Sequence, residues 1–324
     1  MADEDERDGV RLTNLDQQVF DDAGVTKREL VDYLDAMSGR LVPVLADRLL
    51  SVVRVRLGQA SFMQKNVPAH APDWIRTVTV PARSSRRDVS YAVCDDRRTL
   101  LWFANQRAVE YHPQLFRGTA WDRQTHLVLD FDPPEGADVA EGFAAAAAAA
   151  RLVRQVLDDA GMAGAVKTSG AKGLHVFVPL DGSADVEDVA AATRAVAVRA
   201  ERLDPVLATT AFIREDRGGK VFLDSTRVGG ATVVAAYSPR VRPGLPVSFP
   251  LGWDELDGVS PGAFTVRTAL GRLGDRDPWR DHMPEPQVLD AGLVAEGHTI
   301  PVARVQAMHE GKRRKRAAER ADGG

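Results

Sequence analysis

The sequence predicts an α/β protein of the α+β kind: a mixed, largely antiparallel sheet core with flanking helices, preceded by an N-terminal module of helices and strands. Three observations carry this. His126-Leu127-Val128-Leu129-Asp130-Phe131-Asp132 is a short apolar strand stopped by Pro133-Pro134. Two long helical stretches, 139–160 and 186–203, alternate with short β-rich runs. Hydrophobic residues make up 44% of the 324, enough for a sizeable core.

The elements follow in order. Residues 1–9 form an acidic lead expected to lack fixed structure. Residues 10–60 read as helical, with Thr26 capping the segment from Lys27 to Gly39. Strands are expected at 74–81, 89–94 and 99–103. The core then runs as strand, helix 139–160 stopped by Gly161, a strand pair around a glycine turn, helix 186–203 stopped by Pro205, and three more strands. Its helices are expected on one face of the sheet. The alanine run 144–150 suits a helix packed on that sheet. Residues 241–285, rich in Pro and Gly, read as wrapping loops with a short helix. The chain thus divides into the lead (1–9), an N-terminal helical and β module (10–120), a core (121–285) and a C-terminal extension (286–324). The extension ends in the basic run Lys312-Arg313-Arg314-Lys315-Arg316.

The chemistry concentrates in three places. Asp130 and Asp132 are two apart on a strand, so both side chains reach the same face, roughly 6–7 Å apart along it. Two ionised carboxylates that close repel unless a cation sits between them, and hard oxygen ligands suit Mg²⁺ or Mn²⁺. A solvated acidic pair at a strand end is the alternative for this segment alone. Some 40 residues on, Ser169-Gly170-Ala171-Lys172-Gly173 precedes the apolar strand that carries His175. Gly170 and Gly173 let backbone N–H groups approach an anion, and Lys172 adds a mobile positive charge. The spacing is not that of a Walker loop. A third segment, Arg217-Gly218-Gly219-Lys220, leads into a strand ending in Asp224. That residue can complete a three-carboxylate site holding two metals for in-line phosphoryl transfer. Only 7 of the 42 basic residues are lysines, and three of these, Lys167, Lys172 and Lys220, stand beside the glycine turns.

Together these residues resemble the polymerase domain of bacterial DNA ligase D, in the archaeo-eukaryotic primase superfamily, expected here in a stand-alone form. Asp130-Phe131-Asp132 matches the family's D-x-D motif, Ser169 to His175 its S-G-x-K-G-x-H motif, and Leu223-Asp224 its hydrophobic-Asp motif. Smaller similarities lie at 12–14, 26–27, 62–65, 111–114 and 237–240, so the resemblance covers roughly 9–280. It implies a primase–polymerase-like fold and template-dependent nucleotidyl transfer to a DNA primer 3′ end, with two Mn²⁺ or Mg²⁺ ions. By this resemblance Asp130, Asp132 and Asp224 are the catalytic metal ligands. Ser169, Gly170, Lys172, Gly173, His175 and Arg240 hold the triphosphate of an NTP or dNTP, and Lys220 assists. His112 approaches the sugar of a preferred ribonucleotide. Lys27, Arg54, Phe62, Met63, Lys65, Arg83, Arg86 and Arg87 contact DNA, the three last on a hairpin. The implied setting is gap filling or end joining in the bacterial cytoplasm at the nucleoid, with a Ku-like protein and a separate DNA ligase as partners.

The chain also departs from the family's pattern. Gln17 or Gln18 stands where the first of two lysines for a 5′-phosphate is expected, Lys27 being the second. Phe62-Met63 replaces a paired aromatic platform for the templating base. The segment from Arg54 is shorter than the family's basic loop. Ser225-Thr226-Arg227-Val228 replaces the tryptophan and Gln-Asn pair that usually follow the third acid.

Composition limits the rest. The net charge of −4 means that nucleic acid must be met by local basic patches. The single cysteine, Cys94, rules out an intramolecular disulfide, fits a reducing compartment and reads as a buried thiol. No apolar span is long enough for a membrane helix. Two other functions remain open at this stage: a DNA-end-binding or synapsis module with weak catalysis, and a two-metal phosphodiesterase.

Overall fold

A computed structural model describes residues 5–81, 88–302 and 308. The strands are β1 (Asp5–Arg7), β2 (Val10–Leu12), β3 (Leu49–Arg56), β4 (Gln59–Gln64), β5 (Thr77–Pro81), β6 (Asp88–Val93), β7 (Ala108–Pro113), β8 (His126–Asp132), β9 (Ala165–Thr168), β10 (Leu174–Pro179), β11 (Ala208–Thr209), β12 (Val221–Asp224) and β13 (Pro250–Leu251). The helices are α1 (Lys27–Leu45), α2 (Arg97–Asn105), α3 (Val139–Asp159), α4 (Val186–Leu203), α5 (Ala269–Leu273), α6 (Pro278–His282) and α7 (Ala291–Thr299).

The six-stranded sheet that carries the motifs has the order β11-β12-β8-β10-β9-β13. Within it, β11–β12 is parallel and the other pairs are antiparallel. Leu127, Leu129 and Phe131 of β8 and Leu174, Val176 and Val178 of β10 alternate onto the face that α3 and α4 cover. The small residues Ala146, Ala147, Ala149 and Ala150 let α3 sit close against that packing. Val128 and Phe177 turn to the other face, with Leu115 and Val233. The open face therefore also receives Asp130, Asp132 and His175. A second sheet, β4-β3-β6-β5 with β7 also on β3, forms the N-terminal module. One buried apolar cluster runs through both parts, from Val10 to Leu293. The mixed, largely antiparallel architecture is the one the sequence predicts.

Several local expectations need correction. Residues 5–9 are ordered: β1 pairs with β2 through an Asp8-Gly9 turn in which both residues have positive φ, the type of turn an Asp-Gly pair favours. Arg7 locks this hairpin to α1 by contacts of 2.7 Å to Asp32 and 3.1 Å to Asp35. Residues 99–103, expected as a strand, lie in α2, because the Asp96 side chain accepts from Thr99 N and starts a helix. Region 10–60 is not all helical, since β2, β3 and the start of β4 lie in it. β3 is rich in β-branched residues and buries Leu49, Leu50, Ser51 and Val52. α1 begins at the expected cap, where Thr26 and Glu29 form a capping box, but continues past Gly39 to Leu45. α4 has the expected ends, and α3 stops one residue earlier, with Ala160 as its C-cap.

The described part of the C-terminal extension docks on the core. α7 packs on α4, and Glu296 takes Arg199 at 2.7 Å and Arg202 at 2.9 Å. The basic run 312–316 and Arg83, Arg86 and Arg87 lie outside the described residues. No helix among the described residues is long and apolar enough to cross a membrane.

Candidate active site

Strand register sets four functional side chains in one row. Asp224 stands opposite Asp130, Asp130 opposite His175, and His175 opposite Lys167, across β12, β8, β10 and β9. Directly opposed residues project to the same face, so this row crosses the open side of the sheet. His175 Nε2 lies 3.3 Å from Asp130 Oδ1, and Lys167 Nζ lies 2.7 Å from His175 Nδ1. Lys167 also donates to Ser248 Oγ at 2.6 Å. With Lys167 donating to Nδ1, the imidazole proton sits on Nε2 and faces Asp130. Burial, then the charge of Lys167, push the His175 imidazole down to about 4, so it is neutral near pH 7.

The acids differ in environment. Burial works against ionisation of Asp130, but His175 and Arg227 outweigh it and hold the carboxyl well below its usual range. Asp132, half exposed at the strand end, is pushed up to about 6 by desolvation and by its neighbours Asp130 and Asp224. Asp224 Oδ1 accepts from Thr226 N at 2.8 Å and from Thr226 Oγ1 at 2.6 Å, which aims Oδ2 into the site. One guanidinium nitrogen, Arg227 Nη2, lies 2.8 Å from Asp130 Oδ2 and 3.3 Å from Asp224 Oδ2. These two hard oxygens thus converge on one point and fit a divalent cation by donor type. Among the described residues no three His, Cys, Asp or Glu side chains form a ready metal centre, and Arg227 occupies the space between Asp130 and Asp224.

The glycine turn is built by close approach. A Cβ on Gly173 would lie 1.9 Å from Phe131 O, and one on Gly170, whose φ is +67°, would meet Arg240 and the backbone at 247–248. Part of the expected anion cradle is used internally: Ala171 N and Gly173 N both donate to Ser169 Oγ at 3.2 Å. Lys172 is exposed at the cleft. Arg240 arrives from the other side and donates to Ser169 O at 2.6 Å. Its Nε lies 3.1 Å from Glu110 Oε1 without being aligned to donate to it. Tyr237, in the left-handed region at φ 68°, starts the turn that delivers Arg240; its carbonyl accepts from Tyr33 Oη and its hydroxyl donates to Asp277. His112 belongs to the same group through Glu110, at 2.8 Å. Burial pushes the His112 imidazole below its usual value although Glu110 pulls it up.

A cleft of about 370 Å³ opens between the Asp130–Asp132 strand end and the glycine turn. Lys172, Arg214, Arg217, Arg240 and Arg242 line it together with Asp130 and Asp132. Arg217 stacks on Phe222 at 3.8 Å, with Nη1 3.9 Å from Asp132 Oδ2. Four members of the site escaped the sequence reading: Glu110, Lys167 as a partner of His175, Arg217 and Arg227. Arg217 had a signal, since it opens the same glycine turn as Lys220, and Lys220 is not among the cleft-lining residues.

The residues expected at DNA are placed elsewhere. Phe62 and Met63 are exposed on β4, and Arg54 and Arg56 lie over the Phe62 ring at 5.8 and 5.5 Å. Arg54 is tied to Gln64 and Gln106, while Lys65 is exposed. Lys27 is buried at 2% exposure, and its ammonium donates to Thr13 O and, at 2.7 Å, to Asn105 Oδ1. Burial and the neighbouring Arg107 push it down to about 8. Arg107 donates to Gln17 Oε1 at 2.6 Å, so a guanidinium stands beside the glutamine found in place of the expected lysine.

A largely antiparallel sheet with paired acids on one strand, a third on the next and a cationic cleft beside the pair fits the primase–polymerase class that the sequence resembles. Comparison with known proteins narrows this. Residues 26–279 match the family model of the LigD primase–polymerase domain, and the chain belongs to that family. It is 31% identical over 297 residues to the bifunctional non-homologous end joining protein LigD of Bacillus subtilis, covering 90% of this chain and 46% of that one. It is 34% identical over 280 residues to the multifunctional non-homologous end joining DNA repair protein LigD of Mycobacterium tuberculosis, covering 82% and 36%. The chain thus spans about a third to a half of these relatives. The polymerase domain of Mycobacterium tuberculosis ligase D, solved in complex with DNA, superposes with a TM-score of 0.77 at 32% identity, covering 86% of this chain and 99% of that one.

Proposed function

We propose that this chain extends a DNA primer 3′ end by template-directed nucleotidyl transfer, in gap filling or end joining. The observation that supports this best is the cleft in which Lys172 and four arginines adjoin the Asp130–Asp132 edge. Acids alone suit any metal-dependent phosphoryl chemistry. Acids beside a wall of cations suit a substrate that brings its own triphosphate and releases pyrophosphate.

In this reading Asp130, Asp132 and Asp224 hold two divalent ions, Mn²⁺ or Mg²⁺. When bound, the ions lower the pKa of the primer hydroxyl and neutralise charge on the phosphates. Lys172, Arg217, Arg240 and the turn 169–173 bind and orient the triphosphate, with Lys220 assisting. His175 holds Asp130 in place through Nε2–H, supported by Lys167. His112, kept in position by Glu110, meets the sugar and favours a ribonucleotide. Phe62, Met63 and Lys65 form the template-side surface. Arg107 supplies a charge where the 5′-phosphate lysine is replaced. A Ku-like protein and a DNA ligase are the partners that end joining requires.

A second reading, a DNA-end-binding module with weak catalysis, draws on the guanidinium lying among the acids. Extension of a primer across a short gap, with and without a downstream 5′-phosphate and with ribo- or deoxyribonucleotides in Mn²⁺, separates the two. Polymerisation that prefers ribonucleotides supports the first reading. DNA binding without extension sinks it.

A further inference from the structure

Among the described residues, Arg227 is the one cation that touches two of the three acids. It stands three residues after Asp224, in the segment that departs from the family's tryptophan and Gln-Asn pattern. Its loop is anchored separately from the guanidinium. Gln124, itself buried, accepts from Gly229 N at 2.9 Å and donates to Arg227 O at 3.4 Å. Asp224 is clamped by Thr226. The backbone on both sides of the ion pair is therefore fixed, while the long arginine side chain, about one-third exposed, can rotate away without moving the loop.

The space that Arg227 fills is the space a shared cation needs. Asp130 Oδ2 and Asp224 Oδ2 both point at Nη2. A divalent ion and a guanidinium cannot occupy that point together. The guanidinium of Arg227 lies within ion-pair distance of both acids. An exchange thus costs the protein a good ion pair, unless the released guanidinium finds another anion. The cleft at Asp130 is lined by the cations proposed for the triphosphate, so an incoming nucleotide brings such an anion to this point.

We propose that Arg227 is the resident counter-cation of the Asp130–Asp224 seat, which a divalent metal must displace, so that metal and nucleotide enter together rather than metal first. This rests on the reading of Asp130 and Asp224 as metal ligands. It makes a departure from the family's pattern into a coupling device: nucleotide raises metal affinity by giving Arg227 somewhere to go.

Mn²⁺ binding to the whole chain, followed by electron paramagnetic resonance with and without a non-hydrolysable nucleoside triphosphate, tests this. Wild type is compared with Arg227→Gln, Arg227→Lys, Arg214→Gln and Asp224→Asn. The proposal expects Arg227→Gln to bind Mn²⁺ about tenfold more tightly than wild type without nucleotide, and to lose most of the nucleotide enhancement. Arg214→Gln removes a charge from the same cleft but pairs with Glu135 and with none of the three acids, so it should change affinity much less. Arg227→Lys should stay near wild type. Melting in chelator and in Mn²⁺ confirms folding: Arg227→Gln should melt lower than wild type in chelator and recover with Mn²⁺. Equal gains in Arg227→Gln and Arg214→Gln would reduce the effect to a general field and overturn the proposal. Mn²⁺ binding that depends on Asp224 but not on Arg227 would overturn the proposal and leave the metal reading standing. Mn²⁺ binding indifferent to Asp224 would overturn both.

Discussion

Lys167 Nζ lies 2.7 Å from His175 Nδ1, and this contact decides which imidazole nitrogen faces Asp130. Both residues are buried within the sheet, and neither is exposed enough to serve as a surface charge. Burial pushes the Lys167 ammonium well below its usual pKa, and Arg240 adds to this. The sheet thus bears the cost of an interior lysine at one place, two residues before Ser169 in the wall of the nucleotide cleft.

If that cost serves positioning, Lys167→Met should separate stability from activity. Replacing a buried charge by an apolar chain of similar length is often neutral or stabilising. The variant should melt at or above the wild-type temperature yet extend primers on the order of 10- to 100-fold more slowly, as loss of support to a metal-site histidine does elsewhere. A calorimetric scan beside an extension assay reads both. A large drop in melting temperature with activity intact would make Lys167 a packing residue.

Lys172 is exposed in the cleft and near no acid within ion-pair distance among the described residues. Lys172→Ala should therefore raise the nucleotide KM by about 10- to 100-fold, a loss of about 1.5–3 kcal/mol typical of a hydrogen bond to a charged group. The primer–template Kd should stay unchanged. Steady-state kinetics against nucleotide concentration checks this, and an unaltered KM removes Lys172 from the triphosphate.

Glu110 ties Arg240, His112 and Val241 N together. Burial alone would raise its pKa, but His112 and Arg240 outweigh this and bring it from 4.5 to about 2. A carboxyl whose folded pKa is depressed stabilises the protein above the unfolded pKa and loses that contribution as pH falls through the folded one. Glu110 should thus contribute on the order of 3 kcal/mol at neutral pH, lost between about pH 4.5 and pH 2. Urea unfolding from pH 6 to pH 3 should show a shallower acid slope for Glu110→Gln than for wild type. Parallel slopes would exclude the assignment.

Gly173 has no room for a methyl group, since its Cβ would sit 1.9 Å from Phe131 O. Gly173→Ala should push β10 away from β8 next to Asp130 and destabilise the fold by about 3 kcal/mol or more. A denaturation midpoint equal to wild type would show that the two strands can part without loss.

Much of this site is legible in the sequence because strands have a period of two. Asp130 and Asp132 share a face by spacing alone, and Asp224 ends a strand of the same type. Even the Lys167–His175 contact has a sequence basis: the five-residue turn 169–173 sets Thr168 opposite Leu174, and so Lys167 opposite His175. Arg227 is different. Its role depends on β12 lying beside β8 and on a loop bending back, and neither follows from local pattern. The Asp8-Gly9 hairpin was hidden by the acidic composition around it, although the dipeptide itself favours a tight turn. Residues 99–103 look like a strand because Leu, Leu, Trp and Phe follow one another. Asp96 three residues before Thr99 decides for a helix, and a capping signal outweighs a short apolar run.

The most direct test of the central claim is primer extension in Mn²⁺ by wild type, Asp132→Ala and Asp224→Ala, with DNA binding measured on the same samples. Wild type should extend the primer, neither variant should extend above background, and both should bind DNA as tightly as wild type or more so, since each removes a negative charge beside phosphate. Extension at the wild-type rate by either variant would contradict the claim.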